Sequence, residues 1–524
     1  MLGKRPQQTS LYDVGNVYDL ELPTASFYAQ LAQVSQHLFK DDDFATFYTE
    51  HFGRPSIAPS LLALTMVLQH HDMVSDEEAT QRTAFDLRWV AVLGRYPGKA
   101  LCAKSTLQLF RSHLILHPEV RSIFQTSIDE AKRAGLLGKS LRIALDTKPI
   151  LGRGAVMDTY NLLAEGILKL ARALSVTEKV ALEEYLRRTG LERYNESSIK
   201  GNADIDWSDI DATQKLLTTM VADGQVLLAQ VTSQEGTLAE AAILLQQILC
   251  QDIVEKPTPD GGVCAEIKEG TAKDRVPSIS DPEVRHGRKS ASKLFVGHKA
   301  DIAVDIETQV IVAVDILAGN AGDAANTLSQ VKQSEENTGL LVEETTGDCA
   351  YGSGDTRNTF AEEKRVLHAK VPKEAKRGDF YPKSSFIIDL ENGSVTCPAK
   401  HVVKVFTSSE MGKVYHFGKL CCDCALKSLC TKSKTGRSIS VLPHEALVRK
   451  AREFQSTPDG RKILRERVVV EHRLARLGQL GIGQARYFGR LKTKFQLSMA
   501  AAIANFRLIW NWQTKMAGLS PGLS

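Results

Sequence analysis

Residues 141–148, LRIALDTK, combine an apolar run with an acidic residue that could do chemistry. The apolar positions are typical of a buried strand in a parallel or mixed sheet, and Asp146 follows them at its C-terminal end. Open α/β sheets usually place their active sites at this end of a strand. Because an unpaired buried charge is costly, the carboxylate needs an explanation. Asp146 is therefore a candidate catalytic acid, with a cap for the following turn or helix as the alternative.

Two further acidic residues occur in comparable settings much later in the chain. Asp348, in TTGDCAYG, follows a predicted strand at about residues 340–342, and Glu471, in RVVVEHRLARLG, lies on a predicted helix. Carboxylates from separate elements repel one another unless a cation lies among them, and hard divalent cations prefer oxygen ligands. Asp146, Asp348 and Glu471 therefore predict a site for two Mg²⁺ or Mn²⁺ ions, an arrangement suited to in-line phosphoryl displacement.

Positive charge is concentrated near Glu471. The net charge of the 524 residues is only +4, but residues 461–495 contain ten lysines and arginines against two acids. This density is typical of a nucleic-acid-binding surface, although a solvated helix face is also consistent with it. Arg467 precedes Glu471 by one helical turn, so it could form a surface ion pair or place a cation beside a substrate phosphate. Arg467 is therefore a DNA-contacting candidate, as are Arg111 near the N-terminus and His286 in SDPEVRHGRK, for which a solvated loop is the alternative.

Five of the nine cysteines lie within 34 positions: Cys397, Cys421, Cys422, Cys424 and Cys430. Cys421 and Cys424 have the spacing of a zinc knuckle, and Cys397 with Cys430 could complete a four-thiolate tetrahedron. Cys422 is left over. We predict a structural zinc site, with a set of free buried thiols as the alternative.

The composition is that of a globular protein, with 43% hydrophobic and 24% charged residues, and the length predicts two to four domains. No apolar run follows the basic residues of the first 13 positions, and no stretch of about 18 apolar residues occurs. We therefore expect neither a signal peptide nor a membrane span. An odd number of cysteines without a secretion signal favours the reducing cytoplasm over a disulfide framework.

The hydrophobic pattern alternates between helical and strand-rich regions. Residues 1 to about 120 look helical, and Ser75, followed by acidic residues at 76–78, is an N-cap signal that opens one of these helices. The short helix around Arg111 suits a helix-turn-helix, with a plain helical bundle as the alternative. Residues 158–253 look helical again, and 255–290 reads as an extended connector. Alternating apolar residues at 300–306 and 309–316 predict a β-hairpin, followed by a helix at 324–333. Short strands are predicted at 385–389 and 402–406, and helices from about 443 to 512.

Several stretches also resemble a known family. LDTKPILGRG at 145–154, DPEVRHGRKS at 281–290, TTGDCAYGSG at 345–354 and VVVEHRLARLG at 468–478 are similar to successive blocks of the bacterial insertion-sequence DDE transposases. The most similar group has an N-terminal helical domain, which HFGRPSIAPSLL at 51–62 resembles, and a cysteine-bearing insertion. The similarity covers nearly the whole chain in the right order, so it is more specific than any single motif.

The resemblance implies an α/β fold with a ribonuclease-H-like, retroviral-integrase-like catalytic core, helical and cysteine-rich inserts, and an all-α N-terminal domain. The implied boundaries are 1–125 for the DNA-binding domain, 136–375 for the first part of the core with its helical insert and connector at about 158–290, 380–440 for the cysteine-rich insertion and 443–515 for the C-terminal part of the core. Asp146, Asp348 and Glu471 would be the first, second and third acids.

The implied activity is DNA transposition. The enzyme would cleave at the terminal inverted repeats of its element and join the released 3′ ends to target DNA, acting as a homodimer on double-stranded DNA in the bacterial cytoplasm, associated with the nucleoid. Related transposases often carry Tyr, Arg, Glu and Lys at fixed offsets around the third acid. Arg467 and Glu471 match, but Leu464 replaces the Tyr and Gly478 the Lys, a loss for which Arg476, Arg486, Lys492 or Lys494 could substitute.

Two other functions would use the same residues. A related metal-dependent nuclease would keep the three acids and cleave DNA without strand transfer. A transposase-derived DNA-binding protein would keep the basic surfaces without catalysis, although the presence of all three acids argues against it.

Overall fold

The computed structural model describes residues 1–6, 22–49, 52–117, 122–233, 235–258, 262–290, 292–374, 378–410, 412–516 and 518. Residues 7–13, part of the N-terminal stretch on which we expect no signal peptide, lie outside the described residues. No described helix is long and apolar enough to cross a membrane.

Among the described residues, six α-helices precede the first strand: α1 Phe27–Val34, α2 Pro59–Asp72, α3 Asp76–Phe85, α4 Leu87–Leu93, α5 Lys104–Leu116 and α6 Ile123–Arg133. As its sequence predicts, α3 is capped by the Ser75 hydroxyl, which accepts a hydrogen bond from the Glu78 backbone N–H. Apolar residues of these helices, such as Phe27, Leu62 and Trp89, share one hydrophobic core with the central sheet and the last helix.

The central sheet has six strands: β1 Ser140–Leu151, β4 Arg285–Ser290, β5 Lys293–Asp305, β6 Ile311–Ala318, β7 Leu341–Gly347 and β8 Val366–Ala369. The strand order is β4-β5-β1-β7-β8, with β6 also paired to β5. β5 is antiparallel to both β1 and β6, whereas β7 runs parallel to β1 and β8 runs parallel to β7. This mixed α/β arrangement is consistent with a ribonuclease-H-like core.

The predicted hairpin is present as β5 and β6, joined by a turn in which Gln309 adopts a positive φ of 63°. Two predictions from local pattern were wrong in detail. The helix predicted at 324–333 begins later, as α12 Thr327–Thr338. The region 255–290 is not a plain connector, because it contains β4 and a hairpin of β2 Ile253–Pro257 and β3 Val263–Ile267. These short strands form because they have partners: β4 pairs with β5, and the Ala265 N–H donates to Thr218.

The insert between β1 and β4 has a hydrophobic core of its own. Its helices are α7 Thr159–Glu178, α8 Leu182–Thr189, α9 Ile199–Asn202, α10 Ile210–Ala229 and α11 Gly236–Asp252. Trp207 packs edge-on against Tyr160, with ring centroids 5.1 Å apart, which is a structural role for this tryptophan.

After α13 Gly354–Glu362 and β8, two small three-stranded sheets form a third core, which includes Cys421 and Cys430. Their strands are β9 Ile387–Asp389, β10 Ser394–Thr396, β11 Val402–Val403, β12 Phe406–Ser409, β13 Gly412–His416 and β14 Ser438–Val441. The chain ends in α14 Glu445–Ser456, α15 Pro458–Glu466, α16 Val468–Gln479 and α17 Arg490–Met516. The buried Asn505 of α17 fastens that helix to β6 by accepting from and donating to the Ile311 backbone.

Candidate active site

The register of the parallel pair β1–β7 brings two of the three acids to the same level of the sheet. Ala144 pairs with Thr346, and Asp146 and Asp348 each lie two residues further along their chains. The sequence suggested that Asp146 ends its strand, but β1 continues beyond it to Leu151, paired with β5. The pairing with β7, however, ends just before Asp146, so its carboxylate lies at an opening edge of the sheet.

Helix α16 carries the third acid, Glu471, and an arginine at the start of this helix links Glu471 to Asp146. Arg467, the N-cap residue of α16, lies one turn before Glu471, and its Nη2 donates to Glu471 Oε1. The Nη1 of the same guanidinium donates to Asp146 Oδ2 at 3.5 Å. Arg467 is largely buried, with 15% of its side chain exposed, whereas Glu471 is 50% exposed. The guanidinium therefore links the first and third acids across the gap between the sheet and α16.

The carboxylate of Asp146 lies in an environment that opposes its ionisation. Burial raises its pKa to about 6, and the charges of Asp348 and Glu471 act in the same direction. The Thr147 backbone N–H, 2.8 Å from Asp146 Oδ1, and the Arg467 guanidinium partly offset this effect. Negative charge at this site is thus only partly compensated by the protein, which is typical of carboxylates that serve a bound cation.

The side chain of Asp348 is oriented by the backbone that follows β7. Its Oδ1 accepts a hydrogen bond from the Ala350 N–H at 2.7 Å, which caps the short 3₁₀ turn Cys349–Tyr351. Gly347 makes this bend possible because a Cβ there would lie 2.7 Å from the Tyr351 side chain. Cys349 is exposed, and within the described part of the chain no base donates to or accepts from its thiol to activate it as a nucleophile.

All three acids offer oxygen ligands, the donor chemistry that Mg²⁺ and Mn²⁺ prefer. Nevertheless, among the described residues no three or more His, Cys, Asp or Glu side chains are placed to hold a metal ion. At the acidic site, the Arg467 guanidinium lies between Asp146 and Glu471 and donates to both. The donor set therefore fits these ions chemically, and binding requires Arg467 to move.

The four cysteines expected to bind zinc line one small pocket of the cysteine-rich region: Cys397, Cys421, Cys424 and Cys430. Burial raises the pKa of the Cys430 thiol, and the other three cysteines raise it further. Among the described residues, these four thiols are not grouped so that they could hold a metal ion as placed. Cys422 is exposed and does not line the pocket.

The predicted DNA-contacting residues fall into two groups. Arg111 is buried and paired with Asp76, so its charge serves the packing of α5 on α3. Arg486 donates to the Val74 carbonyl, and Lys494 pairs with Asp315 at 2.9 Å, so both are engaged within the fold. In contrast, His286 and Lys492 are exposed, and the half-buried Arg476 donates to the neutral side chain of Gln479 and forms no ion pair within the described residues.

The sequence analysis overlooked a buried acid beside the site. Asp301 on β5 is 1% exposed and pairs in register with Thr147, the residue after Asp146. Thr147 in turn donates to Asp323 at 2.8 Å, and Lys299 pairs with the same carboxylate. Asp301 interrupts an apolar strand in ADIAVDI, so the signal that identified Asp146 could have found it.

Comparison with protein families adds two matches. Residues 16–113 match a transposase domain (DUF772), and residues 396–510 match the transposase DDE domain. The second match contains the cysteine pocket, Arg467 and Glu471, and the first covers α1 to most of α5. No curated protein and no solved structure matches the chain.

The two matches flank the sheet whose register aligns Asp146 and Asp348, and the second match contains the helix that carries Glu471. The two domains occur in the order that the sequence resemblance implies, one at each end of the chain. The two matches, which together cover less than half of the chain, support its similarity to the insertion-sequence DDE transposases.

Proposed function

We propose that this transposase cleaves DNA at the terminal inverted repeats of its element and joins the 3′ ends to target DNA by two-metal phosphoryl transfer. The observation that carries the proposal is the linkage of Asp146, Asp348 and Glu471. Two lie at one level of adjacent parallel strands, and the third is linked to the first through Arg467. Asp146 and Glu471 share the Arg467 guanidinium, and Asp348 lies at the level of Asp146, an arrangement suited to an exchange of the guanidinium for divalent metal.

Asp146, Asp348 and Glu471 would hold the metal ions, which when bound stabilise negative charge on the attacking and leaving oxygens. The protein positions these ligands: the Thr147 N–H orients Asp146 and the Ala350 N–H orients Asp348. Arg467 neutralises the acids before metal and DNA bind, and then turns toward the phosphate of the bound strand. Rigid presentation of the three carboxylates from two strands and a helix keeps the reacting strand aligned for in-line attack.

Because two element ends are joined in one reaction, we propose that the active complex is a homodimer. Each copy would bring one active site and one DNA end. Light scattering of the protein with and without end DNA would measure this directly, and a complex containing a single copy would contradict it.

We also propose that Cys397, Cys421, Cys424 and Cys430 hold a structural zinc ion. Their convergence on one pocket and their thiol chemistry support this, since four thiolates suit tetrahedral Zn²⁺. The surrounding core is small, so a metal would add folding free energy where few apolar contacts are available.

The catalytic proposal is tested with purified protein, a labelled duplex carrying the terminal repeat and a target plasmid, in Mg²⁺ or Mn²⁺. We expect a nick that leaves a 3′-OH, followed by joined products. Asp146→Asn, Asp348→Asn and Glu471→Gln should each lower cleavage by at least about 10²-fold, since each removes a charged ligand. Asp355→Asn is the matched control, because this carboxylate lies near Asp348 in the chain but is 89% exposed.

Different outcomes distinguish the alternative functions. Nicked DNA without joined products would favour the metal-dependent nuclease. Specific binding of the ends without any cleavage, in wild type and variants alike, would favour a non-catalytic DNA-binding protein. Cleavage that persists in all three acid variants would refute the proposed site.

A further inference from the structure

Lys148 extends from β1 toward the helix that carries the third acid. It follows Asp146 by two residues on β1, so strand alternation places both side chains on the same face. Its ammonium reaches α16, where Nζ donates to the Leu474 carbonyl at 3.1 Å. Lys148 therefore lies beside both Asp146 and the helix of Glu471.

Gly478 provides the space that this ammonium occupies. A Cβ at position 478 would lie 2.4 Å from Lys148 Nζ and 3.7 Å from its Cε. Gly478 is within α16 and does not have a positive φ, so the backbone conformation does not require glycine. A glycine inside a helix costs roughly 0.5–1 kcal/mol relative to alanine. The cost is explained if the absence of a side chain serves to admit Lys148.

The charge around Lys148 is unbalanced. Its ammonium and that of Lys289 on β4 lie close enough to repel each other. Within the described part of the chain, neither lysine forms an ion pair with a carboxylate, unlike Lys299, which pairs with Asp323. Two cations that converge without an acidic partner are unfavourable unless an anion joins them.

We propose that Lys148, together with Lys289, binds a backbone phosphate of the DNA strand next to the scissile phosphodiester. Gly478 is the position at which the resemblance leads one to expect a lysine, and the strand residue Lys148 places its ammonium in that space instead. This inference rests on the proposed function of Asp146, Asp348 and Glu471. Arg476, Arg486, Lys492 and Lys494 are then not needed to replace the lysine missing from the helix.

The test measures binding of a labelled terminal-repeat duplex in EDTA, over a series of salt concentrations, so that it does not depend on catalysis. Lys148→Met keeps most of the length of the side chain and removes the charge. We expect at least about tenfold weaker binding, as for loss of a charged hydrogen bond. The slope of log K against log salt should fall by about 0.9, the value for one phosphate contact. Lys332→Met, an exposed lysine of α12 paired with Glu363, is the control and should change neither quantity.

The decisive variant moves the charge to the other element. Lys148→Met combined with Gly478→Lys should restore most of the affinity and the salt slope. Gly478→Ala alone, which displaces the ammonium while keeping Lys148, should weaken binding in the same direction. Lys289→Met tests the same phosphate contact without disturbing the hydrogen bond of Lys148 to α16, and it should also reduce the slope of log K against log salt.

The outcomes separate this inference from the proposed catalysis. An unchanged salt slope in Lys148→Met and Lys289→Met would overturn the phosphate contact, even if the acid variants abolish cleavage. A purely structural role of Lys148 would lower the melting temperature without changing the slope, which would overturn it as well. Restoration by the relocated lysine would support it even if cleavage proved independent of the three acids.

Discussion

Asp301 lies in an environment that is unfavourable to its charge. Neither carboxylate oxygen has a hydrogen-bond partner within the described residues. Burial raises the pKa of Asp301 to about 7, and the charges of Asp315, Asp323 and Asp146 raise it further. The folded protein therefore prefers the protonated form up to near neutral pH, whereas an unfolded chain ionises near its ordinary value of 3.8.

This pKa difference sets the direction of a pH effect on stability. Between about pH 4 and pH 7 the folded state binds one more proton than the unfolded state, so the free energy of unfolding falls as pH rises. Asp301→Asn removes the titration, and relative to wild type it should become more stable by on the order of 1–4 kcal/mol between pH 4 and pH 8. Melting temperatures of both proteins at several pH values measure this, with exposed Asp355→Asn as control. A constant difference across that range would contradict it.

Arg142 shows how the elements around the acids are held together. Its guanidinium donates to Glu344 of β7 at 3.0 Å, to Glu466 of α15 at 2.6 Å and to Glu307 in the β5–β6 turn at 3.1 Å. One side chain of β1 thus fixes the strand that leads to Asp348 and the helix that precedes α16. Such a network of charged groups favours one arrangement of the elements, because each partner loses its counterion if they separate.

The elements that the sequence predicted well are those with a local signal. Alternation in β5 and β6 predicted the hairpin, and Ser75 with the acids after it predicted the start of α3. The strand β4 and the length of β1 were missed because both depend on pairing with β5, a partner that local pattern cannot show. Residue type and setting predicted the three acids as candidates. The bridge from Arg467 to Asp146 spans 321 residues and could not.

The cysteine-rich strands give a test of metal-dependent folding. Cys424→Ser should remove about one equivalent of zinc per chain and lower the melting temperature of this region, because binding free energy contributes to its folding. Cys422→Ser is the matched control, since Cys422 is adjacent in sequence and exposed. Metal content by atomic emission and thermal unfolding measure the two effects. Equal zinc content in Cys424→Ser and wild type would contradict the proposed ligand set.

The basic block at 461–495 offers less positive charge to DNA than its composition suggests. Several of its cations are engaged inside the protein: Arg467 by Asp146 and Glu471, Lys494 by Asp315, and Arg490 by Glu283. Arg473 is buried, and its Nη2 donates to the Ala504 carbonyl. Composition therefore overestimates the charge available to DNA, because a sequence does not show which cations already have partners.

Two lysines of α17 make this distinction measurable. Lys492 is exposed and forms no ion pair among the described residues, whereas Lys494 lies 2.9 Å from Asp315. If Lys492 contacts DNA, Lys492→Met should reduce the salt slope of end binding by about 0.9, because one fewer counterion-displacing contact is made. Lys494→Met should leave that slope nearly unchanged, since its charge is compensated within the protein. Binding titrations over a salt series measure both slopes. A larger loss for Lys494→Met than for Lys492→Met would show that the Asp315 pair opens when DNA binds, and that ion pairs in the free protein do not decide which cations contact DNA.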